Sequence, residues 1–337
     1  MAAGASVRPA FGIETKTSPL PQVKVEANQG SQSGANISIG ICAYNEAQRI
    51  PALLQSVATQ SLPLGFVLAE ILVVASGCTD GTDHIVEKWS KIEPRLTLIR
   101  ESERRGKSHA LNTILGRYRG DVLVLVNADA RLRSGALSEL LYAFDRDSEV
   151  ELACGFPVPE HSDSAVVSLL EDVWWRLHNR TLQTLAALGS GNHCCDEFMG
   201  LKRGMVDSIP GEVVNEGAYF GVLAACRGIT TQFAPRATVF VETPSNLLGL
   251  FRQRRRIVRG HRQVFDILGQ APYTLEGLVR RRPGLAARIV AAEFSARPAR
   301  TLAFLFLALP LEAIAQVSAA LDRAFRRRLP SVWPKVD

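Results

Sequence analysis

One short run limits the folds open to this chain more than any other. Residues 121–126 are an aspartate followed by five valines and leucines, and Asn127, Ala128 and Asp129 come directly after. Aliphatic residues with no polar alternation read as a strand buried on both faces. Such a strand needs a parallel sheet with helices above and below it. Ligands of open α/β sheets sit at the carboxyl ends of the strands, which is where Asp129 falls. Hard divalent cations prefer carboxylate oxygens, and Mg²⁺ usually combines one or two of them with substrate phosphates. The plainer alternative is that Asp129 only caps the next helix.

The rest of the pattern agrees with a wound sheet. Strand-like runs fall at 37–43, 70–75, 96–100, 121–126 and 151–156, and helix-like runs at 46–60, 82–91, 107–117 and 136–145. Strands alternating with helices of this length predict an α/β fold, a mostly parallel sheet with helices on both faces. A longer amphipathic stretch, 164–187, carries Trp174 and Trp175, which read as packing or membrane-interface residues. The 337 residues suffice for one large α/β domain and an appendage. We divide them into a flexible leader at 1–35, a catalytic α/β domain at 36–248 and a basic, apolar helical region at 249–337. The leader is rich in Ala, Gly, Ser, Gln and Pro and has no signal-peptide core.

Charge is distributed unevenly. Residues 250–337 hold 17 Lys and Arg against 6 Asp and Glu, so the net +6 of the chain comes wholly from its C-terminal end. There the basic residues flank the apolar run 301–321, interrupted by Pro310 and Glu312. A spanning helix needs roughly 20 mostly apolar residues, so this run is long enough to span or to lie in the interface. Arg297, Arg300, Arg323 and Arg326 to Arg328 stand where cations meet lipid headgroups. Membrane association is the expectation, with a buried helix as the alternative. Nucleic acid is not expected, because no aromatic stacking platform or known module accompanies the arginines. The six cysteines show no C-x-x-C spacing, and Cys42 and Cys78 suit small thiols in a reducing compartment. His193, Cys194, Cys195 and Asp196 are metal-ligand types without a second pair at zinc-site spacing.

The loops after the strands carry complementary chemistry. Ala43, Tyr44, Asn45 and Glu46 follow the first strand, and Ser76 to Thr82 follow the second. Arg104, Arg105, Gly106 and Lys107 place cations at a helix N-terminus, where backbone N–H groups attract phosphate. Together with Asn127 and Asp129 these are the parts of a nucleoside-diphosphate site.

In these segments, and in the Gly106 to Asn112 stretch, the Asn215 and Glu216 pair and the Gln253 to Arg256 run, the chain resembles family 2 glycosyltransferases of the GT-A fold. The resemblance covers roughly residues 36–262 and rests on six motifs in the family's order. It implies a GT-A, Rossmann-like sheet and an inverting transfer of a sugar from a nucleoside-diphosphate sugar to an acceptor hydroxyl. The acceptor would be a saccharide or a lipid-linked molecule, at the cytoplasmic face of the cell membrane, in polysaccharide or glycolipid synthesis. By the resemblance Ala43, Tyr44, Glu46, Ser76, Lys107 and Asn127 bind the nucleotide sugar, Asp129 ligates Mg²⁺ or Mn²⁺, and Gln253 and Arg256 lie near the diphosphate and acceptor.

The chain also departs from the family. Asn127 replaces the first Asp of D-x-D, Ser76 replaces a base-contacting Asp, and Ile257 replaces the Trp of Q-x-x-R-W. The family's base is the Asp of a Glu-Asp pair, and that position falls on Gly217. We therefore expect Glu216 to take the acceptor's proton, with Asp196 or Glu197 as alternatives. Arg254, Arg255 and Arg256 are consecutive and must point around a helix. Arg256 is expected to face the site and the others lipid phosphate or water. A catalytically disabled nucleotide-sugar-binding protein and a sugar nucleotidyltransferase are the competing readings. The second normally needs a Gly-rich, cationic loop where Tyr44, Asn45 and Glu46 stand.

Overall fold

The computed structural model describes residues 34–160 and 162–325. Most of the leader, Arg326 to Arg328 and the side chain of Arg323 lie outside the described residues. Strand β1 (Ala35–Ala43) runs parallel to β2 (Phe66–Ser76) on one side and to β4 (Val122–Asn127) on the other, and β3 (Leu96–Glu101) extends the parallel half beyond β2. The other half is mixed. Strand β7 (Phe198–Lys202) is antiparallel to β4 and to β6 (Val150–Pro159), β8 (Thr230–Val241) is parallel to β6, and the two-residue β5 (Arg131–Leu132) is antiparallel to β8. The order across the sheet is β3-β2-β1-β4-β7-β6-β8-β5.

Strand β4 shows why the sheet is covered twice. Val122, Val124 and Val126 pack with α1 (Ile50–Ala58) and α4 (Ala136–Arg146), whereas Leu123 and Leu125 pack with α3 (Lys107–Leu115) and α6 (Glu216–Cys226). All five are buried, each worth about 1.5–3 kcal/mol relative to exposure. Helix α2 (Thr82–Ser90) joins α1 on the first face.

One boundary and one whole helix differ from the expectation for physical reasons. The first helix begins at Ile50 rather than residue 46, because Asn45 adopts a left-handed backbone (φ 54°) and Pro51 fits the first helical turn. Helix α6 left no pattern in the sequence. Its residues from Glu216 to Ala224 are all buried, so it carries no polar stripe.

A layer of helices sits on α5 (Ala165–Ala187), which packs on β6 and β8. It comprises α7 (Leu247–Leu268), α8 (Leu275–Arg281), α9 (Pro283–Ala296) and α10 (Pro298–Ala324), around Val167, Leu170, Leu250, Leu278, Ile289 and Phe304. Helix α10 buries Thr301, Phe304, Ala308, Ala315, Ala319 and Asp322, a stripe at helical spacing. Its other face is apolar and open: Phe306 is 81% exposed and Leu309 65%. Residues Pro298–Asp322 are long and apolar enough to cross a membrane by length and composition, with 22% of the apolar window buried.

The arginines of α7 correct one expectation. Arg254 pairs with Glu276 and Glu312, and Arg255 and Arg259 pair with Asp322. These cations therefore meet carboxylates of α8 and α10 rather than lipid phosphate, with Arg255 still partly in water. Arg297 and Arg300 both reach Asp172 on α5. Glu312, which interrupts the apolar run of α10, and Asp322, which follows it, thus hold the helix to α7.

Candidate active site

The polar cleft lies at the carboxyl ends of β1, β2 and β4. Its walls include Ala43, Tyr44, Glu46, Ser76, Lys107, Asn127, Asp129, Gln253 and Arg256, around a volume of about 500 Å³. Every sequence-derived binding residue is on that surface, whereas Glu216 and its alternatives Asp196 and Glu197 are not. The two loops at its nucleotide end brace each other. Thr79 N–H donates to Asn45 Oδ1 (2.8 Å), Ala47 N–H to Asp80 Oδ2 (2.9 Å) and Glu46 N–H to Thr82 Oγ1 (2.8 Å). Burial alone would raise the Asp80 pKa, but the hydrogen bonds from Thr82 and Ala47 outweigh it and hold the carboxyl below its ordinary value. Gly77, at φ 60°, lets the chain at Glu103 and Arg104 press against it, where any Cβ would collide with backbone.

Ser76 is not an empty substitution. Its hydroxyl donates to Glu101 Oε2 (2.6 Å), and Glu101 Oε1 also faces His109 Nδ1 (3.0 Å) and the Thr113 hydroxyl (3.1 Å). A carboxylate therefore stands one strand away from the position where one was lost. Neither Glu101 nor several cleft-lining residues emerged from sequence reasoning. Arg49 pairs with Glu242, and Thr243, Pro244 and Ser245 line the rim between β8 and α7. The signal for Arg104 was present in its cationic loop, and its guanidinium lies 3.6 Å from the Tyr44 ring centroid.

Asp129 is exposed in the cleft and makes no hydrogen bond or ion pair among the described residues. Among those residues no group of three or more His, Cys, Asp or Glu could hold a metal ion. One open carboxylate beside a phosphate-sized, cation-lined space fits an ion completed by substrate oxygens.

Lys107 begins α3 and its ammonium lies 3.4 Å from Glu216 Oε2. Burial pulls the Lys107 pKa down, but Glu216 and Asp196 outweigh it and leave the group above its ordinary value. Glu216 itself is 2% exposed, near the Ser108 hydroxyl (3.5 Å), and it lines no cavity described here. Burial, opposed by Lys107 and reinforced by Asp196, raises its pKa.

Asp196 is placed differently. Its Oδ1 accepts the Gly217 N–H at the start of α6, and a Cβ built on Gly217 would fall on that same oxygen. The carboxylate thus occupies the space left by the missing side chain at 217. Asp196 and Glu197 also line a second cavity of about 320 Å³, between α5, α7, α8 and α10, which shares Gln253 with the cleft. Burial and Asp196, opposed by Lys107, raise the Glu197 pKa to about 8.

A sheet wound from a parallel half, with a nucleotide-sized polar cleft at its strand ends, defines a nucleotide-dependent transferase of the GT-A type. Residues 38–209 match the family model of glycosyl transferase family 2, so the chain belongs to that family. The poly-beta-1,6-N-acetyl-D-glucosamine synthase of Staphylococcus aureus strain COL is 22% identical over 247 residues, covering 72% of this chain. The chain spans 57% of that relative's length. A beta-monoglucosyldiacylglycerol synthase of a Nostoc species is 30% identical over 113 residues, 33% of this chain and 24% of that protein. Among solved structures, the mannosyltransferase PcManGT from Pyrobaculum calidifontis, in complex with GDP-Man and Mn²⁺, shares the fold. Its TM-score is 0.64, with 23% identity and 88% of each chain covered.

Proposed function

We propose that this chain transfers a sugar from a nucleoside-diphosphate sugar to an acceptor hydroxyl with inversion, in polysaccharide or glycolipid synthesis at the cytoplasmic face of a membrane. The observation that carries the reading is the convergence of Tyr44, Ser76, Lys107, Asn127, Asp129, Gln253 and Arg256 on one cleft. Tyr44 and Ser76 bound the base end. Lys107 and Arg256 face the diphosphate and stabilise the charge that grows on it as it leaves. Asp129 would hold Mg²⁺ or Mn²⁺, which when bound neutralises the leaving diphosphate as a Lewis acid.

A single displacement also needs a group to take the acceptor's proton. We assign it to Asp196 in place of Glu216. The Glu216 carboxyl is buried against Lys107 and Ser108, whereas Asp196 borders the second cavity and fills the space beside Gly217. The open outer face of α10 and the lipid in the name of the Nostoc relative support a membrane-delivered acceptor.

The test is thermal stabilisation by UDP, GDP, CMP and ADP, with and without Mn²⁺, on the full chain and on Asp129→Asn. A ligand at 100 times its Kd adds roughly 2.7 kcal/mol. The expected result is Mn²⁺-dependent stabilisation by one diphosphate that Asp129→Asn loses. A folded sample that responds to none of them overturns the reading.

A further inference from the structure

The second cavity is not needed to hold a donor, and its composition is unlike that of the cleft. Trp174, Leu177, Leu182, Phe304 and Leu305 give it an apolar body. Trp174 meets Phe304 edge to face at 5.2 Å, so α5 and α10 form its walls together. The outer side of α10, beyond Leu305 and Ala308, is the exposed apolar face of the molecule. At the inner end stand Asp196, Glu197 and Gln253, next to the cleft.

Three histidines each add one ring nitrogen that no described residue meets with a hydrogen bond. His178, His193 and His261 all line the cavity and stack edge to face at successive centroid distances of 5.2 Å. His178 Nε2, His193 Nδ1 and His261 Nε2 are buried without a hydrogen-bond partner. Buried polar atoms are normally satisfied, so this row calls for a ligand with hydroxyl or carbonyl groups. Burial depresses all three imidazoles, with the neighbouring His193 and Arg254 adding to the effect at His178 and His261, so the row is neutral.

Charge narrows the ligand further. The cavity's cation, Arg254, is already bound by Glu276 and Glu312 and stacked at 4.6 Å on Trp174. Glu171, Asp196 and Glu197 add carboxyl groups to the same wall. An unpaired phosphate would meet acids and no available cation there, a costly burial. A lipid phosphate or pyrophosphate is thereby disfavoured.

We infer that this cavity takes the acceptor, and that the acceptor is a neutral lipid alcohol of the diacylglycerol kind. Its acyl chains lie between α5 and α10, its ester and hydroxyl oxygens meet the histidine row, and its free hydroxyl points to Asp196. This deepens the transferase reading and rests on it. In the reaction the lipid oxygen forms a bond to the anomeric carbon, and that carbon's bond to the diphosphate oxygen breaks. The electron pair leaves with the diphosphate, and the hydroxyl proton goes to Asp196.

Binding is tested without turnover on the full chain in mixed micelles. A dialkylglycerol brominated in its chains should quench the fluorescence of Trp174 and Trp175 saturably, and unbrominated dioctanoylglycerol should compete it away. Dioctanoyl phosphatidic acid should compete about tenfold less well or worse, equivalent to roughly 1.4 kcal/mol. Ala308→Phe, which fills the cavity from α10, should weaken the lipid by a similar factor while donor-induced stabilisation stays. Leu305→Phe serves if the first variant fails to fold. Competition by phosphatidic acid equal to that of the neutral lipid overturns the inference, as does displacement by a soluble oligosaccharide. Quenching unchanged in the folded variants also overturns it. Loss of donor stabilisation in the unaltered chain would instead indict the transferase reading, since lipid quenching is read separately.

Discussion

The two cavities meet at Gln253 but are built in opposite ways. The cleft is made by loops at the ends of β1, β2 and β4, each carrying its polar residues in a short contiguous segment. The second cavity is made by side chains from α5, α7, α8 and α10 and from the 193–197 loop, which are far apart in the chain. One is polar and open to charged ligands. The other is apolar with a neutral polar row. A transferase that joins a charged, soluble donor to an apolar acceptor needs both environments a bond's length apart, with a carboxylate at the boundary.

The sharpest way to break this comparison is at that boundary. Asp196→Asn should lower transfer by about 10²–10⁴-fold, the usual contribution of a general base, with nucleotide stabilisation retained. Initial rates on Asp196→Asn and Glu216→Gln decide the matter. Near-normal turnover in the first and a collapse in the second would return the role to Glu216.

A second test concerns the ion pairs that tie α10, one wall of the apolar cavity, to α7. Asp322 is 2% exposed and receives Arg255 and Arg259. Breaking a buried ion pair from one side costs about 3–5 kcal/mol, and partial exposure of Arg255 moves Asp322→Asn toward the lower figure. Denaturant unfolding reads it. A change near zero would mean that α10 is held by its apolar stripe and the Arg254–Glu312 pair without help from Asp322.

Two groups on the wall of the second cavity respond to pH with opposite sign. Burial lowers His193 from 6.5 to about 4, even though Glu276 opposes it. Between those values the unfolded chain takes a proton that the folded one refuses, so this contribution falls as pH drops. Burial raises Glu171 from 4.5 to about 7, against Arg254 and Trp175. There the folded state keeps a proton the unfolded chain has released, so stability falls as pH rises through that window. Each limb has a slope of up to about 1.4 kcal/mol per pH unit. The two windows overlap and their slopes oppose, so His193→Leu should shift the slope of stability against pH downward and Glu171→Gln should shift it upward, read from unfolding curves between pH 4 and 7. Parallel shifts in both variants would contradict the assignment.

The smallest effect on stability and a large one on location are expected on the outside of α10. Phe306→Glu with Leu309→Glu changes residues that are 81% and 65% exposed, so stability should move by less than about 0.5 kcal/mol. Flotation with anionic vesicles should lose the protein. Continued flotation would place the membrane contact elsewhere.

Much of the sheet was legible because its central strands are continuous aliphatic runs and its loops are punctuated by Gly and Asp. Strand β7 was not. Gly200 and Met199 give it little strand character, and its place between β4 and β6 comes from pairing across long sequence separations. Strand β8 carries Pro235 in its middle, which weakens any strand signal. In the cleft, Asp129, Lys107, Gln253 and Arg256 could be nominated from motif order. The histidine row could not, since His178, His193 and His261 lie on three separate segments with no shared spacing.

What the sequence by itself determined is therefore local: strands whose hydrophobicity demands double cover, turns whose residues permit them, and polar groups gathered at strand ends. Tertiary structure decided where separate segments meet. It put Asp196 in the space beside Gly217, turned Arg254 and Arg255 inward to Glu312 and Asp322, and assembled a neutral polar row inside an apolar cavity. The physical reason is that propensity and periodicity act over a few residues. Ion pairing, desolvation and cavity shape depend on which distant side chains share a volume.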